Sequence, residues 1–277
     1  MAELGGEARY RVIARELRND IESGRLKPGQ RLPSTRELAS QWKVSISAIN
    51  DAMQLLEREG LVITRPRSGR IVADSTSAGR GSRNRPDRPH VVFVGGYAGS
   101  GKTEFGRTLA RLTGWAMLDK DTLTRTVVDT ALVELGSSIS DRESDLYLSK
   151  VRPAEYDCLN AAVLENAGCG VSVIATAPFA REFAAETWFR QQAAKLHELG
   201  VDMSVVWIRC SADTMRSYID RRAALRDSWK LKNWEKYVDG LDLSFEPPWP
   251  HTIVTNEPDS LPLREQAENV LKSISGG

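Results

Sequence analysis

Cysteine is scarce in this 277-residue chain: Cys158, Cys169 and Cys210 are odd in number and form no C-x-x-C pair. That argues against a disulfide framework and a structural zinc site, and it fits a reducing cytoplasm. Histidine is as sparse, and His90, His197 and His251 are too scattered to suggest a metal cluster. No apolar run reaches the ~18 residues of a membrane-spanning helix. Residues 1–7 lack a basic stretch followed by an apolar core, so no secretory signal is expected. Net charge is nearly lacking too, at +1. What is present, 41% apolar and 27% charged residues, is the composition of a soluble globular protein. The length is generous for one core and comfortable for two domains. A cytoplasmic protein with no membrane partner is expected.

The small net charge hides an asymmetry. Residues 1–74 carry 13 basic and 10 acidic side chains, residues 75–90 carry 4 and 1, and the remainder carries 21 and 26. The basic part is where a nucleic acid would be met. Residues 75–89 are almost free of apolar side chains and read as a flexible linker whose arginines are solvated or touch phosphates. The expected division is a first domain over 1–74, the linker, and a second domain over 90–277.

In the first domain Val12, Ile13, Leu17 and Ile21 fall at helical spacing within residues 10–23. Ser34 with Glu37 forms a capping box ahead of a short helix carrying Leu38, Ala39 and Trp42. Ser45 or Ser47 caps a third helix with Ile49, Met53 and Leu56 on its inner face. Two extended runs, residues 61–65 and 69–72, follow Gly60. Helix, helix-turn-helix and a two-stranded wing make a winged helix-turn-helix. The stretches Leu32-Pro33-Ser34-Thr35-Arg36-Glu37-Leu38-Ala39, residues 52–61 and Gly69-Arg70-Ile71-Val72 resemble the GntR family of bacterial transcription regulators over residues 8–73. The resemblance implies a homodimer on a two-fold symmetric double-stranded DNA operator, with helix three in the major groove and the wing at the minor groove. Ser34, Arg36, Ser45, Ser47, Arg65, Arg67, Gly69 and Arg70 are the candidate DNA-binding residues. In one place the chain departs from the family pattern. Where the family commonly has Val-Ser-Arg-x-Thr, this chain has Val44-Ser45-Ile46-Ser47-Ala48, and Ile46 offers only apolar contact, for example to a thymine methyl. A winged helix kept for dimerisation alone is the competing reading.

In the second domain the β-branched run His90-Val91-Val92-Phe93-Val94 leads into Gly96-Tyr97-Ala98-Gly99-Ser100-Gly101-Lys102-Thr103 and then a helix over residues 104–112. Strand, glycine loop and helix are the context of a phosphate-binding loop. Its backbone N–H groups converge on phosphate, Lys102 bridges the β- and γ-oxygens, and the Thr103 hydroxyl coordinates Mg²⁺. ATP, or another nucleoside triphosphate, with Mg²⁺ is therefore expected, bound through Gly96, Gly99, Ser100, Gly101, Lys102, Thr103 and Glu104. Further strands are placed at residues 115–118, 170–175, 201–208 and 251–254, with helices between. This is an α/β, doubly wound parallel five-stranded sheet with its ligand at the carboxyl ends of the strands and, as in the small-kinase branch, strand order 2-3-1-4-5.

Asp119-Lys120-Asp121 ends the second strand and is similar to the pair in shikimate kinase-like and other small-metabolite kinases. The resemblance implies that Asp119 holds the metal, with Thr103, and that Asp121 orients or deprotonates an acceptor hydroxyl. Capping of the helix from Thr122 is the alternative. The arginine-dense stretch 211–227 is similar to a kinase lid, with Arg216 and Arg222 or Arg226 clamping phosphoryl charge; a solvated helix explains it as well. Asn256-Glu257-Pro258 resembles the loop bordering adenine. Arg125, Arg152 and Arg181, with segments 151–160 and 179–181, would line an acceptor pocket, or make surface ion pairs. Trp188, Trp207, Trp229, Trp234 and Trp249 suit core or lid packing. Three functions follow. The first is a transcription regulator whose kinase-like domain senses ATP or a small-molecule effector, and the second is a working metabolite kinase. The third is a toxin-type kinase similar to zeta toxins.

Overall fold

The computed structural model describes residues 6–65, 69–73, 88–222 and 227–275. The chain divides into two compact units, residues 1–84 with 258–266 and residues 85–257 with 267–277. The linker expected at 75–89 lies, apart from Arg88 and Pro89, outside the described residues, as do Arg67 and Arg226.

In the first unit α1 (Gly6–Glu22) packs on α3 (Ile46–Arg58), with α2 (Thr35–Trp42) beside it. α1 begins four residues earlier than the apolar periodicity indicates. The capping box forms as expected: the Glu37 amide donates to Ser34 Oγ at 3.3 Å, and the Ser34 amide donates to the Glu37 carboxylate at 2.7 Å. Lys43, in a left-handed conformation (φ 53°), ends α2, and Ser45 rather than Ser47 caps α3, accepting from the Ala48 amide at 3.2 Å. β1 (Val62–Arg65) and β2 (Gly69–Val72) pair antiparallel as the wing. Ile13, Leu17, Leu38, Ile49, Met53, Leu56 and Val72 share one core.

In the second unit β3 (His90–Gly95), β4 (Ala116–Asp119), β5 (Val173–Thr176), β6 (Asp202–Arg209) and β7 (Thr252–Thr255) form a wholly parallel sheet of order β4-β5-β3-β6-β7. In order of appearance within the domain this is 2-3-1-4-5, as expected. β3 is central and buried along its whole length, which is why it reads as a continuous apolar run. Alternate residues face opposite sides. Val91, Phe93, Val173, Ala175, Val205 and Trp207 meet Leu159 and Val163 of α6 (Arg152–Gly168) and Phe189 and Leu196 of α7 (Glu186–Glu198). On the other side α4 (Lys102–Thr113) lies so close that a Cβ on Gly106 would sit 2.5 Å from the Thr176 methyl. α5 (Lys120–Glu134) follows β4 without a break, α8 (Ala212–Arg222) follows β6, and α9 (Ser228–Lys232) and α10 (Trp234–Asp239) come next; α11 (Leu263–Ser275), the last described element, has its first four residues in the first unit and the rest in the second. Trp188, Trp207 and Trp249 join Phe93, Phe179, Phe183 and Phe189 in one aromatic cluster, so these tryptophans are core.

Candidate functional site

The loop between β3 and α4 is held from three directions. The Gly96 amide donates to the Pro178 carbonyl (3.1 Å), Asn256 Nδ2 donates to the Ser100 carbonyl (3.0 Å), and the Ser100 amide closes on the Tyr97 carbonyl (3.1 Å). Gly96, Gly99 and Gly101 all have positive φ. At Gly99 (φ 83°) a Cβ would also lie 2.5 Å from the Met215 carbonyl of α8, so both conformation and space demand glycine. Gly101 supplies no side-chain cap to α4. The first amides of that helix are therefore left for an anion at the positive end of its dipole. Lys102, 8% exposed, curls back with Nζ 3.4 Å from the Tyr97 carbonyl. Ser100 is buried, and its hydroxyl has no partner among the described residues. An orphaned hydroxyl and uncapped amides in a glycine cradle fit a polyphosphate.

Thr103, on the first turn of α4, donates to Asp119 Oδ2 at 3.2 Å, and Thr176 at the end of β5 donates to the same oxygen at 2.7 Å. The other carboxylate oxygen, Oδ1, accepts from the Thr122 amide and hydroxyl, both at 2.9 Å. One aspartate thus caps α5 and faces the loop. Thr103 and Asp119 form an oxygen-donor pair of the kind Mg²⁺ takes together with phosphate oxygens. Among the described residues no group of three or more His, Cys, Asp or Glu side chains is placed to hold a metal without such help.

Beyond Asp119 the structure reveals a network that sequence reasoning missed. Lys120 is buried and pairs with Glu155 at 2.6 Å and with Asp121 at 3.0 Å. Glu155 also accepts from the Thr124 hydroxyl at 2.9 Å and the Tyr147 hydroxyl at 2.6 Å. Burial first, then the Glu155 carboxylate, pushes the Tyr147 phenol far above its ordinary range. Glu155 comes from α6, 35 positions after Lys120, and no local motif joins them. Asp121 is a third exposed, at 33%, and so is the reachable end of this network. Arg152 is committed elsewhere: it forms a bidentate pair with Glu182, both contacts 2.8 Å, and lies 4.2 Å from the centre of the Tyr156 ring. Arg125 and Arg181 are exposed, with no hydrogen bond or ion pair among the described residues.

In the arginine-rich stretch, Arg216 is exposed and lies 5.7 Å from the centre of the Trp234 ring. Arg222 donates twice to the buried Asp227 carboxylate, at 2.6 and 3.0 Å. Asn256 is fully buried, so its contact is with the back of the loop through Ser100. Glu104 is half-buried on the first turn of α4. Sequence reasoning also missed Tyr237: burial raises its hydroxyl, and a hydrogen bond with the Ala98 backbone works against that shift. Tyr97 in turn donates to the Asp242 carbonyl at 3.0 Å. Residues 237–242 therefore lie against the phosphate loop.

In the first unit Ser34 and Ser45 accept helix-capping bonds through Oγ, and Arg36, Ser47 and Arg65 are exposed and unpaired among the described residues. Arg70 bonds Glu57 at 3.1 Å and the Thr35 hydroxyl at 3.0 Å, so its charge is partly offset. Gly69 opens β2 with φ 75°, and Ile46 stands 50% exposed at the start of α3.

Residues 9–72 match the family model for bacterial regulatory proteins, gntR family. The same region is 43% identical over 65 residues to the uncharacterized HTH-type transcriptional regulators YdcR and YjiR of Escherichia coli (strain K12). Those matches cover 24% of this chain and 14% of either relative. Among solved structures, the chain is similar to a gluconokinase from Sinorhizobium meliloti 1021 (TM-score 0.45, 15% identity, 68% of this chain and 94% of that one). It is likewise similar to the Mycobacterium tuberculosis APS kinase CysC in complex with AMPPNP and APS (TM-score 0.44, 23% identity, 68% and 99%). No described helix is long and apolar enough to cross a membrane. A GntR-type helix-turn-helix thus precedes a P-loop domain, and because the AAA-domain model matches residues 91–243, more than half of its length, the chain belongs to the AAA-domain family.

Proposed function

We propose that this protein is a GntR-type transcription regulator whose P-loop domain binds ATP with Mg²⁺ as the signal it reads. The observation that carries this reading is the uncapped start of α4 beside the Thr103–Asp119 contact of 3.2 Å, in a chain that also presents a winged helix. The amides of the loop and Lys102 would hold the β- and γ-phosphates, and Thr103 with Asp119 would hold the metal, which neutralises phosphate charge when bound. A homodimer would place two winged helices on a two-fold symmetric operator. Nucleotide can change DNA affinity only by preferring one arrangement of the two readers over another. Thermal-shift measurements test the first step. A ligand at 100 times its Kd stabilises the folded state by about 2.7 kcal/mol, so ATP-Mg²⁺ should raise the melting point and Lys102→Ala should abolish that rise. Footprinting with and without ATP tests the second step, and an operator footprint indifferent to nucleotide would count against sensing.

A specific observation favours turnover as a second reading. Asp121 is the exposed end of a buried charged network beside the phosphate loop, where an acceptor hydroxyl would need a base. In a kinase Asp121 would take the hydroxyl proton as the acceptor oxygen attacks the γ-phosphorus and ADP leaves. The unpaired Arg125 and Arg181 would draw an anionic acceptor. Asp121→Asn separates the readings, since it should end turnover yet leave ATP-dependent stabilisation intact.

A further inference from the structure

α3 buries Ala48, Ile49, Ala52, Met53 and Leu56 against the first unit's core. Its opposite side presents Ser47, Asn50 and Gln54 at spacings of three and four, so these share one face. Ser47 and Gln54 are exposed and Asn50 is half-buried, and none of the three has a hydrogen bond among the described residues. Ile46, half exposed, flanks them at the helix start. The only basic residue of α3 is Arg58, in its last turn. That places it roughly 12 Å along the axis from Asn50 at 1.5 Å per residue, beyond the N-terminal part that meets base edges in such helices.

Major-groove chemistry converts this arrangement into a base preference. A primary amide matches adenine, donating to N7 and accepting from N6, and an apolar side chain matches the thymine methyl. Guanine, with two acceptors on its edge, calls for the arginine or lysine that α3 lacks there. Asp51, exposed next to Asn50, is a carboxylate with no donor to offer the acceptor edge of guanine. Asn50 and Gln54 are about 6 Å apart along the axis, close to two base steps of roughly 3.4 Å each. Arg36 and Lys43, exposed at the flanks, supply sequence-independent phosphate contact.

We infer that α3 reads A·T pairs, with Asn50 and Gln54 as the adenine-specifying residues and Ile46 as the reader of a thymine methyl. The inference rests on the proposed role of the first unit as a DNA reader. The test is selection of the full-length protein on a randomised duplex pool at fixed salt, followed by sequencing of the bound fraction. The expected result is a half-site with A·T at two positions one or two steps apart and no invariant guanine opposite α3. Asn50→Ala and Gln54→Ala should each relax one of these positions, losing about 5- to 150-fold discrimination there. Uracil in place of the contacted thymine should weaken the wild type but not Ile46→Ala. An invariant guanine in the wild-type pool would overturn the inference. So would alanine variants that weaken all sequences equally. A pool with no enrichment at all would instead overturn the DNA-reading role beneath it.

Discussion

Removing Glu155 should be far more costly than its distance from the phosphate loop suggests. Its carboxylate and Lys120 are 3% and 5% exposed and 2.6 Å apart, and it also receives the buried Tyr147 hydroxyl. Truncating one partner of such a pair typically costs 3–5 kcal/mol, because the other charge stays buried and uncompensated. Here Asp121 remains 3.0 Å from Lys120 and offsets part of that, while the Tyr147 hydroxyl loses its acceptor, worth about 1–3 kcal/mol. The two corrections nearly cancel, so Glu155→Ala should destabilise the P-loop unit by about 3–5 kcal/mol, or roughly 6–20 °C in melting temperature. Lys120→Met should also be costly, since it leaves the Glu155 carboxylate without its buried cation. The double variant Lys120→Met with Glu155→Leu should recover most of the loss, because apolar side chains of similar volume replace a buried pair at little cost. Urea unfolding followed by tryptophan emission is the assay; six of the seven tryptophans lie beyond residue 90, so the signal reports this unit. Single variants that each cost under about 1 kcal/mol, or a double variant losing the sum of both, would refute the buried-pair reasoning.

Asp119→Asn should keep α5 in place, since asparagine caps as well as aspartate, but should diminish the Mg²⁺-dependent part of the ATP thermal shift; unfolding of the variant would contradict this. Burial raises the Glu22 carboxyl from 4.5 to about 7, against Arg18 and Arg264. The folded state therefore holds this proton more tightly than the unfolded chain, and the stability it lends is lost as pH climbs from about 4.5 to about 7. Melting curves across that window should fall for the wild type and flatten for Glu22→Gln. Ser45→Ala removes the cap of α3 and should cost about 1 kcal/mol, read by denaturant titration of the first unit. Arg36→Ala should weaken binding to all duplexes alike and reduce the slope of log affinity against log salt by about 1.

Much of the fold is legible in the sequence because it is specified locally. The capping box at Ser34 and Glu37 and the glycine loop ahead of Lys102 each depend on residues within a few positions of one another. The central strand is legible for a related reason: burial on both faces leaves His90 to Gly95 almost without polar choice. What escapes is whatever pairs across distance. Arg152 looks like a free cation in the sequence and is neutralised by Glu182, 30 positions on. Arg222 is bound by Asp227, only five positions away, yet in a helical pattern with many arginines no rule selects that partner. Arg70 looks like a wing contact and is shared with Glu57 and Thr35. Charge in a sequence is a count, and its availability depends on who stands opposite.

Asp119 shows why some ambiguities in a sequence do not resolve into one answer. Cap and metal ligand look like rival roles for a residue at a strand end before a helix, yet a carboxylate has two oxygens. The backbone at Asp119 is extended (φ −97°, ψ 123°), and Oδ1 meets the Thr122 amide while Oδ2 is directed at Thr103 and Thr176. The cap fixes the rotamer, and a fixed rotamer holds the second oxygen where it can act without paying side-chain entropy on binding. Helix capping here would prepare the proposed metal ligand, so the structural and the chemical reading do not compete: each takes one of the two oxygens.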